Sequence, residues 1–129
     1  MILAALVVGC GRVEPAAPDT GSREAARTFY QGIVEKNWHK SYDALDAGSK
    51  KQRNVHAFAR LAESYRTRLG FDPEDAQVQS CEEKGPEAIA HVVLTGHAAA
   101  KSRRFKDAAL IRKGDDAWQV VLPRSFARK

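Results

Sequence analysis

Only two cysteines, Cys10 and Cys81, occur among the 129 residues, and neither belongs to a CxxC pair. That excludes a disulfide-stapled mini-protein, which needs several bridges. No apolar run approaches the roughly 20 residues that a membrane-spanning helix requires. Metal-binding patterns are lacking too. The four histidines form no HxH or HExxH motif and sit at no ligand spacing from a cysteine. His91 and His97 share strand parity, yet six residues at about 3.3 Å each hold them roughly 20 Å apart, too far for one zinc. There is no Gly-rich phosphate loop and no GxSxG elbow, so neither a metal nor a cofactor is expected. Neither sign of charge dominates: 21 basic residues stand against 16 acidic ones, a net charge of +5. What is present is ordinary, since 43% hydrophobic and 29% charged residues belong to a globular chain and not a disordered one. The length suits one domain with a short appendage.

Met1 to Val8 are wholly apolar, and Gly9 and Cys10 follow. An apolar run, a small residue and then cysteine resemble a bacterial lipoprotein signal, with Val7-Val8-Gly9-Cys10 as its lipobox. The spacing has a physical reason, because the run inserts as a helix, the small side chain fits the signal peptidase, and the sulfur carries the lipid. No Lys or Arg precedes the run, so the positive region of a signal is missing. The alternative is a buried first strand or helix. Gly11 to Ser22 favours the signal, because Pro15, Pro18, Asp19, Thr20 and Gly21 make a polar tether with nothing to pack. The expected division is a signal segment over 1–10, a tether over 11–22 and a folded domain over 23–129. Lipid on Cys10 would hold the chain on a membrane surface without spanning it. That implies export and a place in a bacterial cell envelope. Cys81 then has no partner within the chain and reads as a buried, inert thiol on a strand.

From Ser22 the pattern turns helical. Ser22 is the expected N-cap, Glu24 complements the helix dipole, and Ala26, Phe29, Tyr30 and Ile33 make one apolar face to about Lys36. Trp38, Tyr42 and Leu45 predict a second helix ending near Gly48. Asn54 caps a third, with Phe58, Leu61, Ala62, Tyr65 and Leu69 on its stripe and Gly70 as the C-cap. After Pro73 the period drops to two. Strands are predicted over 76–82, 87–98, 103–113 and 117–122, with turns at Glu83-Lys84-Gly85-Pro86 and Gly114-Asp115-Asp116. Three helices followed by an antiparallel meander give an α+β class, the helices covering one face of a curved sheet of about four strands.

Phe29-Tyr30-Gln31-Gly32-Ile33-Val34, leading into Lys36-Asn37-Trp38-His39-Lys40-Ser41-Tyr42-Asp43-Ala44-Leu45, resembles the opening helices of nuclear-transport-factor-2-like domains, particularly their small bacterial lipoprotein branch. The ending from Leu110 to Leu122, with its glycine/acidic turn before Trp118, is similar to that family's closing hairpin. The resemblance covers about 23–124 and implies a cystatin-like cone, a bent sheet around helices with a pocket at the wide end. Some members are enzymes, such as ketosteroid isomerase, polyketide cyclases and dehydratases, and many are binding or assembly modules, so fold alone does not choose between them.

In those enzymes an Asp or His abstracts a proton and a Tyr or protonated acid holds the oxyanion. Tyr30, Tyr42, Asp46 and His91 are the catalytic candidates that this resemblance implies, with Tyr65 and His97 as lesser ones. The tyrosines lie on apolar stripes, where core packing is the simpler role. His91, polar and mid-strand between Ile89 and Val93, is expected to face the pocket or the helix layer. His39 reads as exposed, and His56 lies in the first turn of the third helix. None aligns with a family catalytic aspartate, which favours a non-enzyme.

Charge is unevenly placed. Residues 101–129 hold nine basic and three acidic residues, whereas 72–87 hold six acidic and one basic. Arg104, Lys106 and Arg112 share a strand face, either as a solvated surface or as a site for an anionic partner beside the anchor. Nucleic acid is not expected, since no aromatic ladder interleaves the basic residues. Three functions remain. The favoured one is a lipid-anchored, non-catalytic module binding a protein, or a small apolar ligand in the cone. The second is a small isomerase- or cyclase-like enzyme pairing Tyr30 or Tyr42 with His91 or Asp46. The third is a structural envelope protein whose cone is filled by Trp38, Phe58, Phe105 and Trp118. A homodimer through the sheet is frequent in the resembled family and is an open alternative here, since a row of Arg and Lys lies on a strand face.

Overall fold

A computed structural model describes residues 19–127. The lipobox, Cys10 and most of the expected tether lie outside the described residues. Helices come first: α1 (Ser22–Glu35), α2 (Trp38–Asp43), α3 (Ala47–Gln52) and α4 (Val55–Leu69). Strands β1 (Asp72–Lys84), β2 (Glu87–Ala98), β3 (Lys101–Lys113) and β4 (Trp118–Val120) follow, and α5 (Arg124–Ala127) closes the described chain. The strands form one antiparallel sheet in the order β1-β2-β3-β4. The class is α+β, helices packed on a curved four-stranded sheet.

The apolar spacing of α1 works as its period requires: Ala26, Phe29, Tyr30 and Ile33 are fully buried. Its start differs from expectation. The N-cap is Gly21, with no side-chain cap of its own. Glu83, at the far end of β1, accepts instead from the Thr20 amide at 2.9 Å, the Thr20 hydroxyl at 3.0 Å and the Ser22 hydroxyl. A carboxylate there sets a negative charge at the positive end of the helix dipole, beside the chain that leads into the cap. The expected second helix is two helices, α2 and α3, capped by Asn37 and Asp46. The break has a tertiary cause, since the Val120 amide donates to the Ala44 carbonyl and the Asp46 amide to the Val120 carbonyl, both at 2.8 Å. Asn54 caps α4 by accepting from the Ala57 amide at 2.9 Å, and Gly70 ends it at φ 77°, a left-handed conformation that suits glycine.

Alternation on β2 sorts the sheet into faces. Ala88, Ala90, Val92 and Leu94 are buried on the inner face, while Ile89 and His91 are exposed on the outer one. β1 is longer than 76–82, pairing with β2 from Asp72 opposite His97 to Lys84 opposite Glu87, with two register shifts on the way. The sequence signal did not reveal α5. Its Phe126 is fully buried among Phe29, Phe58 and Tyr65, with ring centroids 5.4, 6.3 and 4.0 Å away, and lies parallel to Tyr65 within 7°. The last short helix thus fills the interior.

Candidate functional site

In register, Asp107 of β3 stands opposite Val92, so its side chain belongs to the inner face. It is half-buried there and gathers hydroxyls from three elements. The Tyr30 hydroxyl of α1 donates to Oδ2 at 3.1 Å, that of Tyr65 from α4 at 2.8 Å, and that of Ser125 from α5 at 2.8 Å. Oδ1 accepts the Ala108 amide at 2.8 Å. Oδ2 thus carries three of the four donors, while Oδ1 keeps a lone-pair direction beyond the one that the Ala108 amide uses. Burial, reinforced by the negative charge of Asp107, pushes the Tyr30 and Tyr65 hydroxyls well above their ordinary pKa of 10.0. Both tyrosines are therefore fixed as protonated donors. A shallow cleft of about 530 Å³, open to solvent, runs between β3 and residues 121–125 and reaches Asp107 from the side.

Of the four catalytic candidates, only Tyr30 lies in this cluster. The Tyr42 hydroxyl donates toward the backbone carbonyls of Arg53, at 2.7 Å, and Lys50, at 3.2 Å, tying α2 to α3. Asp46 accepts from the Ser49 amide at 3.0 Å as the cap of α3. His91 corrects the expectation that it faces the pocket or the helix layer. It is exposed on the outer face, opposite Ala108 of β3 and Ser80 of β1, because it has the parity of Ile89 and not that of Ala90. Cys81 is half-buried, its sulfur 3.3 Å from the Ser22 hydroxyl. The expected filling of the cone is also revised. Phe58 and Trp118 are buried, but Trp38 is half-buried and Phe105 is 37% exposed, while Phe29, Tyr65 and Phe126 occupy the centre.

Asp107 was missed as a site residue, although a signal existed. It shares strand parity with Ala109 and Ile111, so an acid stood on an apolar face. What no local pattern could supply was its company, drawn from positions 77, 42 and 18 residues away.

Arg104, Lys106 and Arg112 do share the outer face, opposite Thr95, Val93 and Glu87. Arg112 is paired there, its Nε 3.3 Å from a Glu87 oxygen. Arg104 and Lys106 form no ion pair among the described residues and are exposed. No group of three or more His, Cys, Asp or Glu side chains among the described residues could hold a metal ion.

No protein-family model matches the sequence, and no curated protein matches it. Solved structures do. A SEC-C motif containing protein from Psychrobacter arcticus aligns at a TM-score of 0.61 and 11% identity over 87% of this chain, which spans 63% of that one. A Campylobacter jejuni protein described as an NTF2-like transpeptidase aligns at 0.57 and 14% identity, over 77% of this chain and 95% of its own. An LEH-like epoxide hydrolase from M. tuberculosis aligns at 0.50 and 13% identity, over 81% and 78%. At such identities the likeness carries the fold alone. That fold is the cone which the sequence resembles.

Proposed function

On a nuclear-transport-factor-2-like cone, we propose that this chain is an exported, lipid-anchored, non-catalytic binding or assembly module that meets its partner with the outside of the sheet. One observation carries this: Phe126 occupies the centre of the cone, against Phe29, Phe58 and Tyr65. A ligand pocket of this fold would need that space. The inward carboxylate fits the same reading, because Asp107 is already held by four hydrogen bonds, three of them from side chains of α1, α4 and α5. Arg104 and Lys106 are left as exposed cations for an anionic partner beside a membrane. The anchoring rests on the lipobox-like Val7-Val8-Gly9-Cys10.

The test is a titration with indole, a flat apolar molecule of the size of the Phe126 ring, followed by NMR. The wild-type chain is expected not to bind it, and Phe126→Ala is expected to bind it beside Phe29, Phe58 and Tyr65. Indole entering the wild-type cone would overturn the proposal and make the interior a ligand site.

One observation favours the isomerase- or cyclase-like reading as second choice: a carboxylate and two tyrosine hydroxyls converge beside an open cleft. It requires turnover of an enolisable substrate that Asp107→Asn abolishes and Tyr30→Phe lowers. Equal turnover by these variants would remove it.

A further inference from the structure

The sheet has three flanks at which strand pairing could continue, and two of them are covered. β4 is bridged on its far side by Leu45, which pairs in parallel with Val120. β1 carries two register shifts and Pro73, and an Arg23 guanidinium N–H donates to its Val78 carbonyl at 2.7 Å. Shifts, proline and side-chain cover are the ordinary ways of closing a strand edge. β3 is different. It pairs with β2 over its whole length, but β4 covers only Ile111 to Lys113. The Val121 amide extends this cover by one bond, to the Leu110 carbonyl at 2.9 Å.

That bond also gives the phase of the free part. The N–H and C=O of one strand residue point to the same side, and alternate residues point alike. Leu110 points away from β2, so Ser102, Arg104, Lys106 and Ala108 do as well, with no register shift between 101 and 112. The Ala108 amide is satisfied by its neighbour Asp107. Ser102, Arg104 and Lys106 have no backbone partner on that side among the described residues, and all three are exposed.

The charge around this free edge is of one sign. Arg104 and Lys106 project from the outer face, and Lys101 and Arg103 have the inner parity. All four are exposed, and none forms an ion pair among the described residues. One or two lysines suffice to discourage strand pairing between copies. Four unpaired cations within six residues, on both faces, go further and create a preference. Pairing of this edge with that of a second copy would set eight cations against one another, since the segment would meet itself. An extended segment with acids on both faces would neutralise them while completing the backbone ladder.

We propose that the free edge of β3 over Lys101–Asp107 takes an acidic, extended peptide segment of a partner protein as an added strand. The proposal deepens the binding-module function, on which it rests, and names the chemistry of the partner. Backbone groups of Ser102, Arg104 and Lys106 hold the strand, and the four cations select its acidic side chains.

The experiment uses the full chain and the peptide acetyl-(Glu-Glu-Val-Val)₂-amide, whose acids fall on both faces of an extended strand. Its control is the same peptide N-methylated at every residue, which keeps the charge and loses the ladder on both edges. Amide hydrogen exchange is read by NMR. The expected result is protection of the Ser102, Arg104 and Lys106 amides by about tenfold or more, with Arg103 and Phe105 unchanged. Lys106→Pro removes one outward donor without touching a bond to β2 and is expected to weaken binding about tenfold. Arg104→Glu combined with Lys106→Glu keeps every donor and is expected to weaken it further. Equal binding of the N-methylated peptide, or binding without protection of those amides, overturns strand addition while leaving an anionic partner for the outer face. Absence of peptide binding, with attachment to phosphatidylglycerol vesicles instead, overturns it in favour of a membrane surface. Indole in the wild-type cone would sink the module function separately.

Discussion

Tyr30, Tyr65 and Asp107 are the residues on which interior and surface chemistry part company. Both hydroxyls are buried against a carboxylate, so the folded state holds their protons more tightly than the unfolded state does. The raised folded pKa gives a stability that is complete below the unfolded value of about 10 and declines as pH climbs beyond it. Tyrosinate absorbance at about 295 nm from these two residues is therefore expected to appear together with loss of the circular-dichroism signal. Ionisation of either in a still-folded chain would show that the cone admits hydroxide. Gly32 gives a second prediction. A Cβ there would stand 2.1 Å from the Ser41 hydroxyl and 2.9 Å from the Ser41 amide, at the contact between α1 and α2. Ser41 is itself committed, donating to the Phe29 carbonyl at 2.6 Å. Gly32→Ala is expected to cost about 1–3 kcal/mol in urea unfolding. A neutral result would mean that the two helices separate freely.

Among the elements, those with a strong period were the most legible. The stripe of α1, the Asn54 cap and Gly70 stop of α4, and the 87–98 strand all stand where periodicity puts them. Elements shaped by distant partners were not. The break between α2 and α3 follows from bonds to Val120, and the start of α1 is served by Glu83, 61 residues from Ser22. α5 has only four residues, too few for any period to declare itself. Hydrogen bonds, first from the Ser22 hydroxyl and then from Thr20, hold the Glu83 carboxyl below its ordinary value of 4.5. A lowered folded pKa means that this contribution is present above about pH 4.5 and is lost as pH falls through the folded value. The protection of amides in the first turn of α1, taken relative to the intrinsic exchange rate at each pH, is expected to fall on acidification, and Glu83→Gln should show the low protection already at about pH 7. Identical protection in the two proteins would deny Glu83 its role at the start of α1.

For the whole molecule, the proposed anchor gives its own prediction. Cys10→Ala is expected to abolish incorporation of labelled palmitate and to move the chain from the membrane to the soluble fraction, with the circular dichroism of the cone unchanged. A variant that stays membrane-bound would require another attachment. The α+β class, the order of helices before strands and the polarity of each sheet face are written in the chain itself, because they depend on periods of 3.6 and 2 within short windows. Arg104 and Lys106 fall on one face for the same reason. Three-dimensional packing was needed to turn His91 to solvent, to set Phe126 in the cone, and to collect hydroxyls from α1, α4 and α5 around Asp107. Packing also left the edge of β3 over Lys101–Asp107 without a neighbouring strand among the described residues, because which edge stays open depends on where a three-residue strand and the loop at Leu45 come to rest, and no local pattern encodes that meeting.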